Sequence, residues 1–352
     1  MALPDTVYVQ VKVGGVFVPY VTSIHVKSKV NSSRVITLKV ADKEGLVQFR
    51  LGSKIEIDVG IGTNSWINFT GQIRMLQPGN PSTIIATDYI HNLRTSENTY
   101  KRPQDYIYSD LYYAAKDACD ISEIDTTRLT TGSNIKVTPD MPLWGWQTRK
   151  KILDNCVSLM VEPIDDDDHP ENTYLPWYYA IHYDNVMDFF QPDHLRGAPS
   201  CIATFGKTNH NISNDSPSSS ISTDNLINSC TVISSSNENI YYTYEDAHSI
   251  KKYGEVSKLI KWDSIDRNVL YKVARRAVER FKKPTTSYSV DVIMNEWLPI
   301  GSLVQLETRD KLEVLPIVES VLSIDNGITT SLTLGEPRIG FAKLTKLLLE
   351  EV

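Results

Sequence analysis

Two short stretches that start 249 residues apart share one design. "LGSKIEIDV", residues 51–59, and "IGSLVQLET", residues 300–308, each place an apolar residue before a Gly-Ser turn and then an alternating run. The segments behind them stay in step. Gly52 to Ile73 spans 21 residues and Gly301 to Val321 spans 20, so "FTGQIRML" falls against "PIVESVLSI" and "STIIATD" against "ITTSLTLGE". Chance readily matches one Gly-Ser strand, whereas three strands in the same order with similar gaps point to an internal duplication. The expected fold is mainly β, with two related antiparallel β-barrel domains and an inserted α/β module.

A chain of 352 residues has room for roughly two or three domains, each with its own core. Hydrophobic residues at 41% and charged residues at 22% are ordinary globular usage. No run approaches the 18 apolar residues of a spanning helix, and "MALPDTVYVQ" lacks the basic start and apolar core of a signal peptide, so no direct membrane insertion is expected. Cys119, Cys156, Cys201 and Cys230 lie 37, 45 and 29 residues apart without a CxxC pair. That spacing argues against a metal or disulfide framework and for buried free thiols in a reducing cytosol. The net charge of −7 argues against a duplex-DNA clamp, which needs clustered cations to displace counterions.

Period-two alternation marks the first 90 residues as half-buried strands. Val7, Val9, Val11 and Val13 share one face, followed by the sets Ile36, Leu38, Val40 and Ile55, Ile57, Val59, Ile61. Ile67, Phe69, Ile73 and Met75 make a further set, and "TIIATDY" reads as one more strand. At Pro103 the period changes. Ile107, Leu111, Ala114, Ala115 and Ala118 recur at helical spacing, as do Ile152, Leu153, Cys156, Val157 and Met160, on either side of the extended "SNIKVTPDM". The predicted division is residues 1–100 as the first barrel, 103–164 as the inserted helical α/β module, 175–338 as the second barrel with a long helix at 266–283, and 339–352 as a C-terminal tail. Cys119 and Cys156 fall on the helical apolar stripes and should be buried and reduced.

Several stretches invite a chemical reading. "DDDDHPEN", residues 165–172, is rich in hard oxygen ligands, yet calcium loops space their acids on alternate positions with a glycine for the turn, so a solvated acidic loop is expected. In "YLPWYYAIHYDNVMDFF" the aromatics suit either a sugar-stacking platform or a strand covered on both faces; Trp177, Tyr179 and Ile181 alternate with Tyr178, Ala180 and His182, which favours the strand. The helix in "DRNVLYKVARRAVERFKK" has an apolar stripe of Val269, Leu270, Val273, Ala274, Ala277, Val278 and Phe281. Asp266 reads as its N-cap or first-turn acid, and Pro284 stops it. Its stripe is expected to lie across the second barrel. Lys272, Arg275, Arg276 and Arg280 face away as a solvated or partner-facing surface.

From Tyr253-Gly254 through the helix 266–283 to Pro299, Gly301, Val304 and the strands ending near Leu334, the order of elements resembles the C-terminal half of phage tail hub proteins of the late control protein D group. The Phe69-x-Gly71-x-Ile73 strand and the inserted helices are also similar to that group. The resemblance implies tube-type barrels and a homotrimer in which two barrels per chain make six around a channel. Such a hub joins a hexameric tail tube or distal tail protein to a three-fold spike or fibre protein, with DNA passing through the lumen without specific binding. It implies a place in the virion tail tip or baseplate after synthesis in the host cytoplasm, a role in genome ejection, and no enzymatic activity. No catalytic, cofactor-binding or metal residue transfers, and no cofactor is expected.

Two other functions compete. A cell-wall hydrolase needs two carboxylates across a cleft, and candidates such as Glu296 and Asp310 sit beside strand turns and read more simply as exposed turn residues. No G-x-S-x-G, H-E-x-x-H, P-loop or G-x-G-x-x-G stretch occurs. A carbohydrate- or receptor-binding tail-tip protein rests on the aromatics of residues 174–190 alone.

Overall fold

The computed structural model describes residues 7–41, 49–61, 64–95, 100–101, 110–121, 123–127, 129, 147–159, 161–163, 174–176, 178–182, 185–190, 203–206, 212, 217–223, 225–262, 264–292, 298–308, 312–325 and 328–335. The acidic run 165–172, "SNIKVTPDM", Trp177, Cys201, Glu296, Asp310 and the tail 339–352 lie outside them.

Alternation in the first 90 residues builds a sheet because one face of each strand is apolar. Ile24, Val26, Ile36, Leu38, Val40, Ile55, Ile57, Val59, Phe69, Ile73 and Ile84 are all buried in one core. Its strands run in spatial order Val7–Val13, Lys54–Ile61, Asn64–Gln77, Ser82–Thr87, Val35–Val40 and Val21–Lys29, each antiparallel to its neighbours. The second unit repeats the order with Ala203–Phe205, Leu303–Glu307, Leu312–Ile324, Ile328–Gly335, Thr285–Val292 and Ser218–Ser222. One member departs: Ala203–Phe205 is parallel to its neighbour, where Val7–Val13 is antiparallel. The fold is thus mainly β. Among the described residues neither ladder closes on itself; residues 24–29 of Val21–Lys29 pair instead with residues 319–324 of the second unit, making one 13-stranded sheet.

The duplication extends to single hydrogen bonds. Gly52 N–H donates to the Ile73 carbonyl (2.8 Å), Ile73 N–H to Ser53 (3.0 Å) and Ser53 N–H to Arg50 (3.2 Å). In the second unit Gly301 donates to Ile317 (2.8 Å), Ile317 to Ser302 (2.9 Å) and Ser302 to Pro299 (3.2 Å). Directly after Ile73 and after Ile317 the pairing slips by one residue, a β-bulge at Arg74 and at Val318. Ile73 therefore matches Ile317, four residues earlier than Val321, the partner that gap counting selects. The spacing is 21 residues in one copy and 16 in the other. Lengthening a hairpin adds residues in pairs, and the odd remainder comes from a further irregularity between Val59 and Gly60. In the Phe69-x-Gly71-x-Ile73 strand, a side chain on Gly71 would collide with the Thr87 carbonyl and the Phe69 ring.

Each unit carries an insertion. Helices Leu111–Cys119 and Arg149–Leu159 pack through Ala114, Ala115, Ala118, Ile152, Leu153 and Val157 onto the hairpin Tyr178–Ile181 and Met187–Phe190. That hairpin is buried on both faces, with Tyr179, Ile181, Met187 and Phe189 toward the helices and Tyr178 and Ala180 toward the second unit's core. Cys119 and Cys156 are buried, and burial pushes the Cys119 thiol up. The helix Arg267–Phe281 does not lie across the second barrel, as its stripe alone suggests. It packs Leu270, Val273, Ala274, Ala277 and Val278 onto Cys230, Val232, Ile260 and Trp262 of a separate three-stranded sheet, Tyr241–Glu245, Ser229–Ser234 and Ser257–Trp262. Asp266 caps it by accepting from Asn268 N–H at 2.8 Å. This unit stands between Ser218–Ser222 and Thr285–Val292, where the first copy has only the turn between Val21–Lys29 and Val35–Val40.

Gly52 and Gly301 both have positive φ, +81° and +87°. A Cβ on Gly52 would meet open space, whereas one on Gly301 would enter the Phe190 ring. Gly52→Ala should cost about 1–2 kcal/mol, the strain of a left-handed residue, and Gly301→Ala about 1–3 kcal/mol more for the overlap. Urea unfolding of the two variants measures the difference. Val273→Asp should place an unpaired charge in the helix–sheet core at a cost of several kcal/mol, roughly. Hydrogen exchange should then show loss of protection centred on residues 229–281.

Candidate assembly interface

The two units and the helical insertion meet at the turn 30–34, which follows Val21–Lys29. Val30 N–H donates to the carbonyl of Val318, the bulged residue of the second unit (3.1 Å). Asn31, held at φ +56°, donates its N–H to the Tyr179 carbonyl (2.9 Å) and accepts from Tyr179 N–H through its side chain (2.9 Å). The Tyr179 hydroxyl donates to the Asn31 carbonyl (2.9 Å) and is also 2.7 Å from Asp154 Oδ1. Lys150 pairs with that carboxylate at 2.6 Å and sits 5.2 Å from the Tyr179 ring centroid. Burial, with the Asp154 carboxylate beside it, pushes the Tyr179 hydroxyl well above its ordinary value; burial lowers Lys150 despite Asp154.

Asp88 secures the exit from the first unit into the helical insertion. Its carboxylate accepts from the N–H groups of Arg34 (2.7 Å) and Ile90 (3.1 Å), and the Arg34 side chain lies 3.8 Å away. Tyr89, Ile90 and Leu93, just beyond, are core residues of the helical insertion. Full burial raises Asp88 to about 6, against the opposing pull of Arg34 and its hydrogen bonds. Neither Asp88 nor Asn31 stands out in the sequence as a functional residue. The available signals were an acid ending an apolar strand and an Asn opening a tight polar turn.

The ladder between residues 24–29 and 319–324 joins the units from strand to strand. Leu322 is buried in the first unit's core, with Ile324 partly buried against it. Lys27 (2.7 Å) and Lys29 (3.4 Å) both pair with Glu319, and His25 Nδ1 lies 2.8 Å from the Ser323 hydroxyl. Burial alone would raise Glu319, but the two lysines outweigh it and hold the carboxyl below the usual range. Elsewhere apolar side chains face outward. Val16, Phe17, Tyr20 and Leu51 are each more than half exposed, and Ile221 on Ser218–Ser222 is 69% exposed. Among the described residues no group of three or more His, Cys, Asp or Glu is placed to hold a metal, and no helix is long and apolar enough to cross a membrane.

Paired β-units with a repeated strand order, joined through one ladder and carrying helical insertions, define a fold shared with phage tail proteins of known structure. The 43 kDa tail protein of prophage MuSo2 from Shewanella oneidensis matches with a TM-score of 0.61 and 13% identity, covering 94% of this chain and 99% of that one. A tail protein from Neisseria meningitidis MC58 matches with a TM-score of 0.61 and 14% identity over 97% and 99% of the two chains. No protein-family model and no curated protein sequence matches the chain.

Raising Asp88 from 3.8 to about 6 means the folded chain binds this proton more tightly than the unfolded chain does. Its contribution to stability is therefore largest below about pH 4 and is lost as the pH rises through 6. Between pH 5 and 7.5 the loss should be about 1 kcal/mol. Asp88→Asn should remove that component, so the difference in unfolding free energy between wild type and variant should change by this amount over the same interval. A pH-independent difference would contradict it.

Proposed function

We propose that this chain is a structural tail hub, a homotrimeric adapter between a hexameric tail tube or distal tail protein and a three-fold spike or fibre protein. The observation that carries the reading is the duplication itself: two units with one strand order, one Gly-Ser turn and one bulge in the same place. Three chains supply six such units, and six equivalent surfaces can meet a six-fold tube while the trimer keeps three-fold symmetry for the spike. Residues 1–100 and 175–338 are the two tube-type units in this reading, and 103–164 is an outlying module. The likeness in fold to two phage tail proteins supports a place at the virion tail tip. A net charge of −7 suits a conduit that lets DNA slide rather than bind.

Burial counts against the carbohydrate-binding alternative at three of the aromatics on which it rests. Tyr178, Tyr179 and Phe189 are at most 8% exposed, so these rings have no face left for a sugar. In this reading the protein is not an enzyme, and its work is mechanical.

Electron-microscopy class averages of the purified full chain test the proposal. A three-fold ring with a central channel and six similar lobes is the expected result, with a mass near three times 39.7 kDa by mass photometry. A particle that stays monomeric at the highest soluble concentration would overturn it.

A further inference from the structure

The bond between the two units of one chain specifies how one chain should join the next. Within the chain, the outer edge of Val21–Lys29 pairs with Leu312–Ile324 just past its bulge, with Ser320 opposite Ser28 and Val321 opposite Lys27. The duplication assigns a counterpart to each partner. Ser218–Ser222 occupies in the second unit the place of Val21–Lys29, and Asn64–Gln77 occupies in the first the place of Leu312–Ile324.

The registers make the assignment residue by residue. Ile73 and Ile317 are equivalent by their hydrogen bonds, and they pair with Ala86 and Leu334. Ala86 pairs with Ile36 and Leu334 with Tyr288; Ile36 pairs in turn with Val26, and Tyr288 with Ser219. Stepping along from Val26 and Ser219, Lys27 corresponds to Ser220 and Ser28 to Ile221. Stepping past the bulges, Leu76 corresponds to Ser320 and Gln77 to Val321.

Among the described residues both counterpart edges are open. Residues 218–221 have a ladder on one side, against Thr285–Val292, and among the described residues none on the other. Residues 75–77 pair with Ser82–Thr87, while their neighbour on the other side, Lys54–Ile61, ends its pairing at Gln72. Ile221 is 69% and Met75 39% exposed, and Leu76 is half-buried. An edge strand presents a row of N–H and C=O groups that can template another strand, and Ile221 and Leu76 give these two edges an apolar residue at matching positions.

We infer that the occupant of this edge is a second copy of the chain: residues 220–221 of one protomer pair antiparallel with residues 76–77 of the next, Ile221 opposite Leu76 and Ser220 opposite Gln77. The inference rests on the trimeric reading above and names its contact. Repeated three times, it continues the sheet from unit to unit around the ring. The contact differs from its counterpart within the chain in lacking the Lys27–Glu319–Lys29 charge cluster, so it is uncharged where the other is ionic.

The test uses the full chain with Leu76→Cys and Ile221→Cys, singly and together. Side chains on directly opposite strand positions are close enough for a disulfide. Under mild oxidation the double variant should give a covalently linked trimer on a non-reducing gel. Each single variant should stay monomeric, and an equimolar mixture of the two should give linked dimers. In parallel, Ile221→Asp should lower the trimer population at least tenfold by mass photometry with an unchanged thermal unfolding profile, because this side chain is exposed in the single chain. A wild-type trimer that neither cross-links in the double variant nor responds to Ile221→Asp overturns this contact and leaves the hub reading standing. Absence of any trimer in the wild type overturns both.

Discussion

The arrangement of the whole chain depends on the backbone hydrogen bonds of the turn 30–34. Val30 and Asn31 donate there to Val318 and Tyr179, residues far away in sequence that belong to the second unit and to the hairpin buttressing the helical insertion. Leaving such groups unmet in a buried place costs about 1–3 kcal/mol each, so a different docking of the units would forfeit several at once. Asp88 and Arg34 add a buried pair on the same turn. A pair of this kind adds little net stability and penalises arrangements that separate it.

The two units descend from one plan and diverge where the plan allows it. The Gly-Ser turn and the bulge after Ile73 and Ile317 are shared because both determine which way the strand twists and where its edge opens. The connection between the two outermost strands is unconstrained by the sheet. In the first unit it is a short turn that locks the units together; in the second it has grown into a helix on a three-stranded sheet with its own core. Growth there leaves the ladder undisturbed, since loops lengthen at small entropic cost.

Much of this was legible beforehand because burial and periodicity are local. The sets Ile36, Leu38, Val40 and Ile55, Ile57, Val59 are buried as their alternation implies. Cys119 and Cys156 lie buried on their helices. The Val273 stripe is buried too, but its partner is Trp262 and its neighbours rather than the barrel. A stripe states that a face must be covered and carries no information on what covers it. Tyr179 shows the same limit: its place in a strand followed from alternation, while its bonds to Asn31 and Asp154 join residues 148 and 25 positions away.

By itself, the sequence determined the strand content, the two helices of the insertion, the stripe of the third, and the existence of a duplicated strand motif. All of these arise from side-chain period and from glycine's tolerance of positive φ, which act within a few residues. Only the tertiary structure decided the register of the repeat, the pairing of residues 24–29 with 319–324, and the environment that raises Asp88. A bulge changes register without changing composition, and ladder partners are chosen by hydrogen-bonding edges that look alike in every strand. Those choices are settled only when the whole chain is packed.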